Sequence, residues 1–244
     1  MKRLLIALAS LTLSATAQAA GGGPLPFSYE ADTSNLASLQ RGARNFMAYC
    51  SGCHSMKYLR YNRIGQDLEI PEALLKANLM FTSEKVGDHI LTAMPGENAK
   101  TWFGQTPPDL TLETRARGTS WVYSYLKTFY VDPSRPLGVN NLVLAGASMP
   151  HVLADLQGWQ VKKAVAEGET PAAGKAPVLE LAVPGSLDAE GYDQFVADTV
   201  NFMAYAAEPG KSHRIDTGIR AILYLLVLLT LAYLLKKEYW KDVH

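Results

Sequence analysis

The sequence predicts one exported domain carrying helices, followed by a single membrane-crossing helix at its C-terminal end. Three observations predict it: an export-type leader, an uncharged apolar run near the C-terminus, and apolar residues recurring at helical steps between them. The chain has 244 residues, 48% of them hydrophobic, enough for one sizeable domain or two small ones. Its 23 basic and 23 acidic side chains balance, so no positive excess points to nucleic acid as a partner.

The elements follow in chain order. Met1-Lys2-Arg3 is a short basic start, Leu4 to Leu13 is apolar, and Ala17-Gln18-Ala19 is an A-x-A cleavage pattern. Residues 1–19 therefore read as a signal peptide of bacterial type, which sends residues 20–210 to the periplasm. Leu36, Leu39, Ala43, Phe46, Met47 and Cys50 recur at three- and four-residue steps, so a helix with one apolar face runs into Cys50. Asp32, Thr33 and Ser34 are its candidate N-caps. A second helix is expected over Ser120 to Tyr130, with Trp121, Tyr125 and Phe129 at i, i+4 and i+8 reading as core packing. The Pro/Gly/Asn segment "DPSRPLGVNN" follows as a loop. The stretch from Ala166 to Pro184, rich in Pro, Ala and Gly, reads as another. In a later helix, Phe195, Val196, Thr199, Phe202 and Met203 face inward.

The run "AILYLLVLLTLAYLL", Ala221 to Leu235, is uncharged and fifteen residues long, short of the roughly 20 that a bilayer core needs. Gly218 and Ile219 extend it. Arg220 before it and Lys236-Lys237 after it can snorkel to the two interfaces. Tyr239 and Trp240 stand where an aromatic belt would. A span over residues 218–237 follows, with residues 238–244 as a cytoplasmic tail, since the exported domain lies before the span.

Cys50 and Cys53 are the only cysteines, and a disulfide between them would close too small a loop to stabilise much. A redox C-x-x-C motif belongs beside a βαβ pattern, and none is visible. A structural zinc site needs four ligands, but His89, His151, His213 and His244 are scattered without pairing. With His54 next in line, the segment reads C-x-x-C-H, the attachment signature of a c-type haem. Its spacing has a chemical reason. The two thiols add across the two vinyl groups, and residues at i, i+3 and i+4 share one side of a helical turn. The imidazole of His54 then reaches the iron from that side. One haem c, covalently held by Cys50 and Cys53, is the expected cofactor.

The opposite axial position takes Met, a second His, or nothing. Met47 and Met56 stand too close to the His54 side, and Met203 reads as packing. Met94 in "TAMPGEN" and Met149 in "AGASMPHVL" both precede proline in loop contexts, 40 and 95 residues after His54. Spacing leaves both open, although a helix followed by a loop leads into Met149. His151 is a further candidate.

Four segments together resemble the cytochrome c1 family, the membrane-anchored haem subunits of ubiquinol–cytochrome c oxidoreductases. They are "YCSGCHSMKYLRYNRI", "PPDLTLETRARG" (Pro107 to Gly118), "AGASMPHVL", and the ending from Phe202 to Leu235 with its "AEP". The resemblance spans nearly all of the chain after the leader. It implies a mostly α, class I cytochrome c-like haem domain with long loop insertions plus one C-terminal transmembrane helix. It implies Met149 rather than Met94 as second axial ligand beside His54. It implies that Arg117 meets a haem propionate, which suits a bidentate, permanently charged guanidinium, and that Pro107 and Pro108 line the haem edge. It also implies the function. The haem accepts one electron from the Rieske iron–sulfur subunit and passes it to cytochrome c, in a dimeric complex with cytochrome b in the bacterial inner membrane. No bond is made or broken, so no catalytic residue is expected. The stretch from Met80 to Thr106 departs from the long acidic insertions of mitochondrial members. Two other readings remain: another anchored c-type carrier, such as an oxidase or nitric oxide reductase subunit, and a haem enzyme or gas sensor with an open sixth position.

Charge raises one further question. From Ala176 to Gly210 there are six acids and no Lys or Arg. They form either a surface that steers a basic partner or the solvated face of a helix, and the helix face is the expectation for most of them.

Overall fold

The computed structural model describes residues 25–163 and 177–242, so the leader lies outside the described residues. Among those residues are nine helices and six strands, the strands paired only in twos. The helices are α1 (Leu36–Tyr49), α2 (Tyr61–Asp67), α3 (Glu72–Asn78), α4 (Gly96–Phe103), α5 (Glu113–Arg117), α6 (Thr119–Lys127), α7 (Ala154–Gln157), α8 (Ala189–Ala207) and α9 (Lys211–Tyr239). The antiparallel pairs are β1 (Met56–Arg60) with β2 (His89–Ile90), β3 (Phe129–Val131) with β4 (Val139–Asn141), and β5 (Gly158–Lys162) with β6 (Leu179–Pro184).

The core forms where α1 crosses α8. Leu39, Ala43, Phe46 and Met47 from α1 meet Val196, Val200, Phe202 and Met203 from α8, all buried. The crossing is close because Gly42 lacks a side chain. A Cβ there would lie 2.0 Å from the carbonyl oxygen of Asp198. Asp198 is buried at the same crossing, where Arg41 Nε donates to it at 2.6 Å and the Ser38 hydroxyl at 2.6 Å. Asn201 Nδ2 donates to the Ser38 hydroxyl at 2.8 Å, and Tyr29 Oη donates to Asn201 Oδ1 at 2.8 Å. A buried carboxylate is tolerable because its oxygens are all claimed.

The expected helix up to Cys50 is present, but its cap differs. Asn35, not Asp32, Thr33 or Ser34, accepts from Ser38 N at 3.1 Å. Asp32 is occupied in its own turn by the backbone and hydroxyl of Ser34. The second expected helix ends early. After Lys127 the Thr128 hydroxyl folds back onto the Ser124 carbonyl at 2.8 Å, and Phe129 pairs with Asn141 as a strand residue. Trp121, Tyr125 and Phe129 thus do not form one buried stripe: Phe129 is buried, while the other two are half-buried.

The segment read as a loop up to Pro184 is corrected at its end. Leu179, Leu181 and Val183 alternate with Glu180 and Ala182, and this two-residue period builds β6 against β5. Residues 166–176 of that loop lie outside the described residues. Gly158, at φ +90°, allows the hairpin to close, since a Cβ there would meet the Val183 carbonyl at 2.2 Å.

The helix α9 runs 29 residues without interruption, so the fifteen-residue apolar run is the centre of a longer helix. At about 1.5 Å per residue its length exceeds a hydrocarbon core of roughly 30 Å. His213–Tyr239 is long and apolar enough to cross a membrane, and none of its most apolar window is buried against the domain.

Candidate functional site

Past Tyr49 the helix α1 tightens into a turn. Cys50 N–H and Ser51 N–H both donate to Phe46 O, at 2.8 and 3.0 Å. Cys53 N–H and His54 N–H both donate to Cys50 O, at 3.0 and 2.9 Å. The Ser51 hydroxyl donates to Met47 O at 2.7 Å, and Thr92 Oγ1 ties Gly52 O from the other side at 2.8 Å. One turn therefore presents Cys50, Cys53 and His54 to the wall of a single cleft.

Both thiols are free and not bonded to each other. Burial pushes the Cys50 thiol up to about 12, helped by the neighbouring Cys53, and burial raises Cys53 as well. The two sulfurs are therefore held as neutral thiols. Burial also pulls His54 below the usual imidazole range, opposed by a carbonyl that faces it. That carbonyl belongs to Pro108, 2.8 Å from His54 Nδ1. A carbonyl can only accept, so Nδ1 carries the proton and Nε2 is left as the free lone pair. The Pro108 segment is itself pinned: Leu110 N–H donates to Ser55 O at 2.9 Å, and Lys57 N–H to Asp109 Oδ2 at 2.7 Å.

The other walls come from α5, α6, α8 and the loop after β4. Met149 and Met203 both line the cleft, whereas Met94 does not. Met203 is 3% exposed and is part of the hydrophobic core, as its packing role predicts. Met149 sits on the loop, half-buried, before Pro150. Arg117 lines the cleft, ion-paired with Glu113 one turn earlier, its guanidinium 4.4 Å over the Trp121 ring. Trp121 and Tyr125 stack at 5.1 Å; they pack against the core, as the i, i+4 reading expects, and also line the cleft, which that reading did not include. Glu113 was also missed, although its i, i+4 spacing to Arg117 is a signal for pairing. His151 points elsewhere. It stacks on Phe129 at 5.0 Å and is absent from the cleft lining.

The six sequence-chosen residues, Cys50, Cys53, His54, Pro108, Arg117 and Met149, are thus brought together around one cleft. The donor set fits a covalently attached haem: two unpaired thiols, an imidazole with a free nitrogen, a thioether in an apolar setting, and a guanidinium suited to a carboxylate. It does not fit a bare metal ion, because among the described residues no group of three or more His, Cys, Asp or Glu is arranged to hold one.

Comparison with known proteins identifies the family. Residues 26–159 and 186–243 match the model described as "Cytochrome C1 family". A protein named cytochrome c1 from Allochromatium vinosum is 48% identical, over 100% of this chain and 100% of its own. A protein named ammonia monooxygenase gamma subunit from Nitrosomonas europaea is 45% identical, over 87% of this chain and 86% of its own. A chain of a solved structure described as "Hyperthermophilic respiratory Complex III" aligns with a TM-score of 0.48 at 17% identity, over 100% of this chain and 98% of that one. With a family model matched over most of the chain and a relative 48% identical along its full length, this chain belongs to the cytochrome c1 family.

Proposed function

We propose that the protein holds one haem c through Cys50 and Cys53, with His54 and Met149 as the residues that would ligate its iron. It takes one electron from a Rieske iron–sulfur subunit and hands it to cytochrome c. Family membership makes the chain a membrane-anchored c-type electron carrier of a respiratory chain. The finer assignment is carried by one observation: Cys50, Cys53, His54 and Met149 line the same cleft. Membership of the cytochrome c1 family supports cytochrome b and a Rieske protein as partners. The leader and the single helix α9 support a periplasmic domain with a cytoplasmic C-terminus, and a dimeric assembly follows from the resemblance.

Bound haem supplies a one-electron ferric/ferrous couple. The chain's own residues set its conditions. Pro108 fixes the His54 tautomer and ring plane, so that Nε2 would be the atom free to ligate the iron. The thioether of Met149 is a soft ligand that favours the reduced state and raises the potential. Trp121, Tyr125 and Leu126 help to form an apolar wall that excludes water. Arg117 offers its charge to a propionate, in competition with Glu113.

The test uses reduced protein at neutral pH. It should refuse carbon monoxide, because both axial positions are filled. Met149→Leu should admit carbon monoxide and lower the midpoint potential sharply, while Met94→Leu should change neither. Rapid carbon monoxide binding by the unaltered protein would return the haem enzyme or gas sensor as the better reading. Copurification from membranes with a dihaem cytochrome b and an iron–sulfur subunit separates this role from that of an oxidase or nitric oxide reductase subunit.

A further inference from the structure

The loop that carries Met149 has no regular secondary structure from Leu142 to Pro150. Within it only Ala147 is buried, so hydrophobic packing does little to fix its path. Side chains from the β3–β4 hairpin hold it instead. Asn141, 1% exposed, uses both ends of its amide. Its Oδ1 accepts from Val143 N at 2.8 Å and Leu144 N at 3.2 Å, and its Nδ2 donates to Tyr125 O at 2.8 Å. Asn140 Oδ1 accepts from Gly146 N at 2.8 Å, while its Nδ2 donates to Asp132 Oδ2 at 2.9 Å. From the turn of the hairpin, Arg135 Nη2 donates to Gly146 O at 2.8 Å.

Both limbs of the loop are therefore gripped, the second only three residues before Met149. Asn141 also ties the loop to α6, whose Tyr125 forms another wall of the cleft. One side chain thus references two walls to each other. A side-chain amide suits the task because its donor and acceptor lie in a fixed plane, and an apolar isostere would strand the amides it leaves behind.

We propose that Asn141, Asn140 and Arg135 form a polar clamp that positions the Met149 thioether. They are positioning residues, with no contact to the ligated group. The proposal rests on the reading of Met149 as an axial ligand, and the experiment separates the two.

The full-length holoprotein is compared with Asn141→Leu, with the double variant Arg135→Met/Asn140→Leu at half-buried positions, and with Met149→Leu. Three readouts are taken: the sulfur-to-ferric-iron charge-transfer band, carbon monoxide binding by the reduced form, and amide exchange at Val143, Leu144 and Gly146. In the clamp variants exchange should quicken roughly tenfold or more, as expected from losing about two hydrogen bonds. The band should weaken and carbon monoxide should bind, although Met149 is still present. In Met149→Leu the band should vanish while exchange at the three amides stays near its original rate. If the double variant keeps the full band and refuses carbon monoxide, the clamp is overturned, whatever Asn141→Leu does to folding. If Met149→Leu keeps the band, the axial reading falls, and the clamp as a ligand-positioning device falls with it.

Discussion

Gly42 sits where two helices touch backbone to backbone. An added methyl would lie 2.0 Å from Asp198 O and 2.7 Å from Phe202 Cβ, and neither helix can retreat without opening the core. Gly42→Ala should therefore destabilise the protein by about 2 kcal/mol or more, read as a lower denaturant midpoint. Beside it, Asp198→Ala removes the anion that Arg41, Ser38 and Gln194 all address. Breaking a buried pair of this kind costs about 3 kcal/mol, discounted here because the Arg41 side chain is 43% exposed. Neither residue announces itself in the sequence, because its partner lies far along the chain. The residues proposed to hold the haem are different. Cys50, Cys53 and His54 must share one turn for the chemistry to work, so they stand together in the sequence as well. Pro108 shows what falls between. Its place in the cleft came from the resemblance, but the carbonyl that orients His54 is a backbone atom, which no side-chain pattern can reveal.

At the scale of elements, the acidic segment resolves into separate structural duties. Asp188 caps α8, Asp193 pairs with Lys127, Asp198 is buried against Arg41, and Glu208 pairs with Arg214. Glu180 and Glu190 are exposed. The expected solvated face holds for Glu180, Asp188, Glu190 and Asp193, whose pairing and capping take place at the surface, and it fails at Asp198, which is buried. Reversing Glu180 and Glu190 together should accordingly leave the rate of haem reduction and its salt dependence unchanged, measured by rapid mixing at several ionic strengths. Helix α1 was legible because its apolar period runs unbroken into Cys50. The end of α6 was not, because Phe129 keeps the helical spacing while Thr128 diverts the backbone. Strand β6 carried an alternating pattern that its Pro- and Gly-rich surroundings concealed.

At the scale of the whole molecule, the hydrophobic core closes without its last helix, since among the described residues none beyond Ala206 belongs to the cluster. Ending the chain after Gly210 should release a haem domain into the soluble fraction with an unaltered charge-transfer band, checked by fractionation and absorption. The connection between α8 and α9 is only Glu208, Pro209 and Gly210. Even fully extended, three residues reach only about 10 Å, and the first turns of α9, from Lys211 to Thr217, add a helical stalk before the apolar span rather than slack. A leash that short restricts the haem domain to a thin layer above the bilayer, where it can turn but not wander. Its encounters are then governed by surface density within that layer rather than by bulk concentration. On the proposed function, a partner centre lying further away would have to make the journey itself, so long-range shuttling of the electron would fall to the donor and the acceptor.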